Sequence, residues 1–213
     1  MQNQITNLKQ GIKNPNRINV FINGDFSFSL DLSQVVDYHL KIGKILSDDE
    51  IAELKNASAY GKLYSRTLEW VLTRPRSVKE TRTHLQEKRF EKHLDYTDAD
   101  IETIIEKLLA KQYLDDRKFT TWFIENRFTK KGISHRRLEQ ELIQKGIARS
   151  LIDELLTNSS RDETTEIKKI IAKKSNKYDQ EKLLAYLVQQ GFSYDLSKEL
   201  ILESTVPSPT ATD

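Results

Sequence analysis

The stretch Asp115–Leu156, DDRKFTTWFIENRFTKKGISHRRLEQELIQKGIARSLIDELL, decides how this chain folds. Asp115-Asp116 opens an aromatic segment carrying Phe119, Trp122, Phe123 and Phe128. Lys130-Lys131-Gly132-Ile133-Ser134 then breaks it, and Leu138, Leu142, Gly146, Ile147, Leu151 and Leu155 follow. Apolar residues three and four apart give a helix one apolar stripe, so the spacing predicts three helices. Aspartate and serine supply the caps, because their side-chain oxygens accept from amide N–H groups that lack an intrahelical partner. Gly146 falls where a helix stops in a left-handed turn, which glycine enters without a steric penalty.

The pattern recurs. Ser134, Leu138, Leu142, Gly146 and Ile147 match Asp179, Leu183, Leu187, Gly191 and Phe192 step for step, and Leu151, Leu155 and Leu156 match Leu196, Leu200 and Ile201. Towards the N-terminus, Ser77, Thr81, Leu85, Arg89 and Phe90 take the same five places. An insert after Phe90 holds Asp95, Asp98 and Asp100, and Ile104, Ile105, Leu108 and Leu109 supply a third helix. Opening helices carry Tyr64, Leu68, Val71 and Leu72 in the first copy, and Ile167, Ile170 and Ile171 in the third. The expected fold is therefore mainly α, with tandem three-helix repeats over 57–112 (insert near 91–100), 113–158 and 159–204. Units this small bury too little apolar surface alone, so they are expected to stack edge to edge in an elongated array.

Residues 1–56 read as a separate small domain. Ile5 to Gln10 suits a short strand, Asn14-Pro15-Asn16 a turn, and Ile18 to Leu30 a hairpin around Asn23-Gly24. A two-residue loop would put Val20 and Phe28 on opposite faces. A three-residue loop, Ile22-Asn23-Gly24 with a glycine bulge, pairs Val20 with Phe26 and Ile18 with Phe28, and is preferred because one face can then be buried. Ser33 is read as the cap of a helix ending at Gly43, and Ser47 with Glu50 as a capping box for the next. Residues 205–213, rich in Pro, Ser and Thr, read as a disordered tail.

Among 213 residues, 31% are charged and none is cysteine, which excludes disulfides and thiol chemistry. No segment approaches the length of apolar sequence that spans a bilayer, and the N-terminus lacks a signal-peptide pattern, so a cytoplasmic protein without membrane contact is expected. The net charge of +2 hides an asymmetry. Gly61–Leu94 holds 9 basic against 4 acidic residues and Arg127–Arg149 holds 7 against 2, while Asp95–Asn126 holds 4 against 8. From Ser150 onward the balance is 8 against 11. Charge thus comes in bands, which suits a partner that is itself banded, such as a protein filament on nucleic acid, better than naked DNA.

Arg74-Pro75-Arg76-Ser77 is the sharpest local signal. Proline stops one helix, Ser77 with Glu80 starts the next, and two arginines flank a helix N-terminus, a place favourable to anions. A plain helix junction and a contact site fit it equally well. His39, His84, His93 and His135 are scattered without ligand spacing, so no metal site is expected. Asp95, Asp98, Asp100 and Glu106 fail as a calcium loop, because Asp100 stands where glycine belongs and Thr97 and Ala99 where oxygen ligands belong in sequence. No phosphate loop, nucleophile elbow or dinucleotide fingerprint appears, so neither cofactor nor catalysis is expected.

These residues resemble the RecX family of recombinase regulators. Arg74-Pro75-Arg76-Ser77 with Glu80 resembles the signature of its first repeat, and Tyr113-Leu114-Asp115-Asp116 with Phe119 that of its second. Lys131-Gly132 with Leu138, Glu141-Leu142 and Lys145-Gly146-Ile147 resembles the segment after it. The resemblance is good over about 57–156. Residues 1–56 are similar to the N-terminal extension of longer members, and the third repeat matches in pattern alone. Thr81 stands where the family usually has leucine and Thr120 where it usually has alanine, which bears on local packing.

The resemblance implies a non-enzymatic modulator of RecA, the recombinase that polymerises on single-stranded DNA and hydrolyses ATP. It implies a protein, expected to be monomeric, lying in the filament groove and limiting growth, ATPase and strand exchange in DNA repair. Candidate partner-binding residues are Arg74, Arg76, Arg82, Lys88 and Arg89 in the first repeat. In the second they are Arg127, Lys130, Lys131, Arg136, Arg137 and Lys145, read as clusters and not one by one. The alternative is a helical protein acting directly on DNA, with Ser134 to Ile147 as recognition helix and Arg136 and Arg137 at base edges.

Overall fold

The computed structural model describes residues 2–12, 14–92 and 96–205. Asp95 of the expected insert and residues 206–213 of the expected tail lie outside them. Strands β1 (Asn3–Gln10), β2 (Arg17–Ile22), β3 (Asp25–Asp31) and β4 (Ile45–Leu46) form one antiparallel sheet, ordered β3-β2-β1-β4. The helices are α1 (Leu32–Asp37), α2 (Asp48–Leu72), α3 (Val78–Lys92), α4 (Asp98–Ala110), α5 (Asp116–Asn126), α6 (His135–Gln144), α7 (Arg149–Thr157), α8 (Glu163–Lys174), α9 (Gln180–Gln189) and α10 (Tyr194–Thr205). The protein is mainly helical, with a small N-terminal strand region. No helix among the described residues is long and apolar enough to cross a membrane. The chain divides into two compact units, Met1–Thr73 with Leu85–Lys107, and Arg74–His84 with Leu108–Asp213.

In the first unit the hairpin corrects the expected loop. Asn23 and Gly24 are both left-handed, at φ 51° and 97°, and close a two-residue turn on the Ile22–Asp25 pair. Asn-Gly enters that conformation at little cost. The bulge lies one step further in, where Phe21 faces Phe26 and Val20 faces Phe28 with Ser27 as the extra residue. Val20 and Phe28 are thereby both buried, joining Ile5, Ile22, Leu30, Val35, Leu40, Leu46 and Leu54 in one core.

Two further expectations change here. Asp31, not Ser33, caps α1, in a capping-box arrangement in which the Asp31 amide donates to Gln34 Oε1 at 3.0 Å. That helix ends at Asp37, and Gly43 serves a later turn into β4. Helix α2, started by the Ser47–Glu50 capping box with bonds of 2.7 and 3.1 Å, runs unbroken through Asn56, where a boundary was expected. No proline interrupts it before Pro75. It is also pinned to the sheet by Arg17, 7% exposed, which donates to Ser29 Oγ, Asp31 Oδ1 and the Ser58 carbonyl, each at 3.2 Å. In the same unit Ile101, Ile104 and Ile105 of α4 are buried, and the Tyr96 hydroxyl donates to the Leu85 carbonyl at 2.6 Å.

The second unit holds two three-helix cores. Phe119, Phe123, Ile124, Ile133, Leu138, Leu142, Ile147 and Ile152 form one from α5, α6 and α7. Ile167, Ile170, Ile171, Leu183, Leu187, Phe192, Leu200 and Ile201 form the other from α8, α9 and α10. Leu138, Leu142 and Ile147 take the places of Leu183, Leu187 and Phe192, and Gly146 and Gly191 end α6 and α9 at φ 84° and 93°. The two unusual threonines are fully buried and satisfied. Thr81 Oγ1 donates to the Ser77 carbonyl at 3.0 Å and Thr120 Oγ1 to that of Asp116 at 2.6 Å.

One joint is built twice. Ser77 Oγ accepts from the Glu80 amide and donates to the Lys145 carbonyl at 2.8 Å, while the Val78 amide donates to Asp116 Oδ1 at 2.9 Å. Ser134 Oγ accepts from the Arg137 amide and donates to the Gln190 carbonyl at 2.7 Å, while the His135 amide donates to Glu163 Oε1 at 2.9 Å. In each case a helix start is met by the carbonyl end of the equivalent helix in the next repeat and by an acid from that repeat's opening helix. Orphan amides and carbonyls thus satisfy one another across the joint. In the third repeat Asp179 takes the serine's place, accepting from the Lys182 amide at 2.8 Å. A carboxylate has no proton to give a further carbonyl, so the third repeat cannot make the serine bond.

Candidate partner-binding surface

The expected cations fall into distinct groups, sorted by whether a carboxylate holds them. Glu80, one turn into α3, is the first hub: Arg74 reaches it at 2.5 Å, Arg76 at 3.4 Å and Lys145 at 3.9 Å. Burial alone would raise the Glu80 carboxyl, but hydrogen bonds and charge from Arg74, with Lys145 and Arg76, hold it below the usual range. The Arg74 guanidinium also lies 5.3 Å from the Trp122 ring centre. Arg82 is near enough to Asp116 to favour its charged form, although burial first, and Asp115, raise that carboxyl overall.

Glu141 of α6 is the second hub, bound by Arg127 at 2.6 Å and Arg137 at 3.5 Å. Arg127 further packs 3.8 Å from the centre of the Phe128 ring. A cleft of about 370 Å³ is lined by Arg74, Trp122, Arg127, Phe128, Glu141 and Lys145, so its cations face carboxylates that already neutralise them. Lys88 and Arg89 belong to the other compact unit, where Arg89 pairs with Asp98 at 2.8 Å. Of the five cations of the first repeat, Arg74, Arg76 and Arg82 belong to one unit and Lys88 and Arg89 to the other.

Lys130, Lys131 and Arg136 differ. Among the described residues none of their side chains is within ion-pair distance of a carboxylate, and all three are exposed. Lys131 opens onto a second cleft, of about 460 Å³, with Arg137 and with Lys173, Lys174 and Lys177. Those last three lysines were missed in the sequence, because the charge count from Ser150 onward averages them with eleven acids. The local run Lys168-Lys169…Lys173-Lys174…Lys177 was the available signal. Beneath this surface the joint is fixed by Glu166, 2% exposed, which accepts from the Ile133 amide at 2.9 Å, Arg161 at 3.0 Å and Lys169 at 2.7 Å.

Comparison with known proteins matches residues 3–47 to the model described as the regulatory protein RecX N-terminal domain, and residues 115–156 to that of the RecX second three-helix domain. The regulatory protein RecX of Listeria monocytogenes (strain F2365) is 29% identical over 210 residues, covering 95% of this chain and 76% of the relative. That of Clostridium acetobutylicum is 28% identical over 214 residues, covering 95% and 96%. A crystal structure of regulatory protein RecX superposes with a TM-score of 0.70 at 25% identity, over 95% of this chain and all of the other. RecX from Lactobacillus salivarius shares the fold at a TM-score of 0.52 and 22% identity, over 69% of this chain and 97% of the other. With models of the N-terminal domain and of a three-helix domain both matched, and a likeness that runs nearly from end to end, the chain is similar to the RecX regulatory proteins over almost its whole length.

Proposed function

We propose that this protein regulates a RecA-type recombinase by lying in the helical groove of the filament on single-stranded DNA, where it restrains ATP hydrolysis, filament growth and strand exchange. The likeness to RecX regulatory proteins supports the regulatory role, and the carrying observation is the set of cations on the second repeat that no carboxylate among the described residues holds, Lys130, Lys131 and Arg136. Unpaired exposed cations lose little on meeting acidic groups of a partner, whereas Arg74 or Arg127 must first leave Glu80 or Glu141. A repeated contact along a polymer gains strength by multivalency. Regulation then proceeds by occupancy, without chemistry on a substrate, and the protein acts as a cytoplasmic monomer.

The alternative, α6 as a DNA recognition helix, is disfavoured by the fate of its first turn. Recognition helices read bases with their N-terminal residues. Here Ser134 is fully buried and bonded to Gln190, and Arg137 is shared between Glu141 and Gln190.

Co-sedimentation with RecA, with and without single-stranded DNA and an ATP analogue, tests the proposal. Binding is expected with the assembled filament, and charge reversal of Lys130, Lys131 and Arg136 together should weaken it at least tenfold while leaving helicity unchanged. Binding to DNA alone at equal strength, or full binding by the variant, would overturn it.

A further inference from the structure

We propose that the cleft of about 460 Å³ between the second and third repeats binds a compact polyphosphate anion of the nucleoside-triphosphate kind. The proposal does not rest on recombinase binding. Lys131, Arg137, Lys173, Lys174 and Lys177 converge on this concavity from the loop before α6, from α6 itself and from the end of α8, and no acidic side chain lines it. Elsewhere in this unit the arginine clusters are neutralised by Glu80, Glu141 and Glu166. Here the four lysines have no carboxylate within ion-pair distance among the described residues. Like charges held close repel, and a concave site concentrates their field on an anion.

Several of the head groups are also held in place. Lys173 Nζ donates to the Lys130 carbonyl, Lys174 Nζ lies 4.3 Å from the centre of the Tyr186 ring, and Lys131 Nζ lies 5.6 Å from that of Phe128. Lysines in the last turn of α8 complement its carbonyl end, which accounts for Lys173 and Lys174. It does not account for Lys131 and Lys177, and Arg137 enters the cleft already paired with Glu141 at 3.5 Å.

The ring contacts also select the ligand. Proteins that bind single strands offer aromatic faces for bases to stack on. In this cleft Phe128 is approached by Arg127, Lys131 and Arg137, at 3.8, 5.6 and 5.9 Å, and Tyr186 by Lys174. The rings therefore hold cations in place instead of receiving bases, and the volume suits a nucleotide-sized ligand. Recognition falls on the phosphates, with the base contributing little.

Calorimetric titration of the full chain with inorganic tripolyphosphate, ATP and a thymidine oligonucleotide tests this. Tripolyphosphate and ATP should each bind once per chain with affinities within about threefold of one another, falling with salt. The Lys131→Gln, Lys174→Gln, Lys177→Gln triple variant should lose at least tenfold with an unchanged thermal melt. The single Lys177→Gln variant, whose head group touches no ring, should lose about threefold even if the triple variant melts early. Lys198→Gln, away from the cleft, should lose nothing. Absence of tripolyphosphate binding, binding indifferent to Lys177→Gln, or binding of the oligonucleotide alone would overturn the proposal, the last marking the cleft as an extended nucleic-acid surface.

Discussion

Ser77 and Ser134 each serve two partners with one hydroxyl, accepting an amide inside their own helix and donating to a carbonyl of the next repeat. Replacing either by alanine orphans both, at a cost of about 1 to 2 kcal/mol. Urea unfolding of Ser77→Ala and Ser134→Ala should show that loss, while Ser160→Ala, exposed and in a loop, should stay within about 0.5 kcal/mol of the parent. Glu166 carries a different dependence. Burial would raise its carboxyl, but hydrogen bonds from Arg161 and Lys169 hold it below the usual glutamate range. A depressed folded value gives stability that is present above the unfolded pKa of roughly 4.3 and lost as pH falls through the folded one. Glu166→Gln should therefore cost about 3 kcal/mol at neutral pH, and the gap to the parent should narrow as pH drops below about 4. A gap constant with pH would show that the charge is immaterial.

At the scale of elements, much was legible because the signals are local. The apolar stripes of α5, α6, α8 and α9 mark their own cores, and Ser47, Asp115, Ser134 and Asp179 cap helices within three residues. Glycine after α6 and α9 was readable for the same reason, and it does a second job. A Cβ on Gly146 would lie 2.7 Å from Lys79 Cβ, on a backbone already at φ 84°. Gly146→Ala should accordingly destabilise by about 2 kcal/mol or more in thermal or urea unfolding, and a neutral result would contradict the close joint. Features set by partners distant in sequence were not legible. The bulge moved from the hairpin loop to Ser27 because the sheet's buried face, not the turn, fixes the register. The pairing of Lys145 with Glu80 and of Arg127 with Glu141 depended on how helices meet. The lysine wall on α8 was lost in an average over an acidic segment.

Over the described residues of the second repeat, the cations sort into those held by a carboxylate, such as Arg127, and those with none in reach, Lys130, Lys131 and Arg136. The net charge of +2 conceals this, since the first kind is balanced inside the molecule and the second is not. The proposed function asks this protein to lie along a polymer and to meet it with the second kind of cation. The most direct measurement is DNA-dependent ATP hydrolysis by RecA with this protein titrated in. Hydrolysis should slow by half or more before the two proteins are equimolar, and the Lys130, Lys131 and Arg136 charge reversal should remove most of that effect. Hydrolysis unchanged at equimolar protein, or equal slowing by the variant, would contradict it.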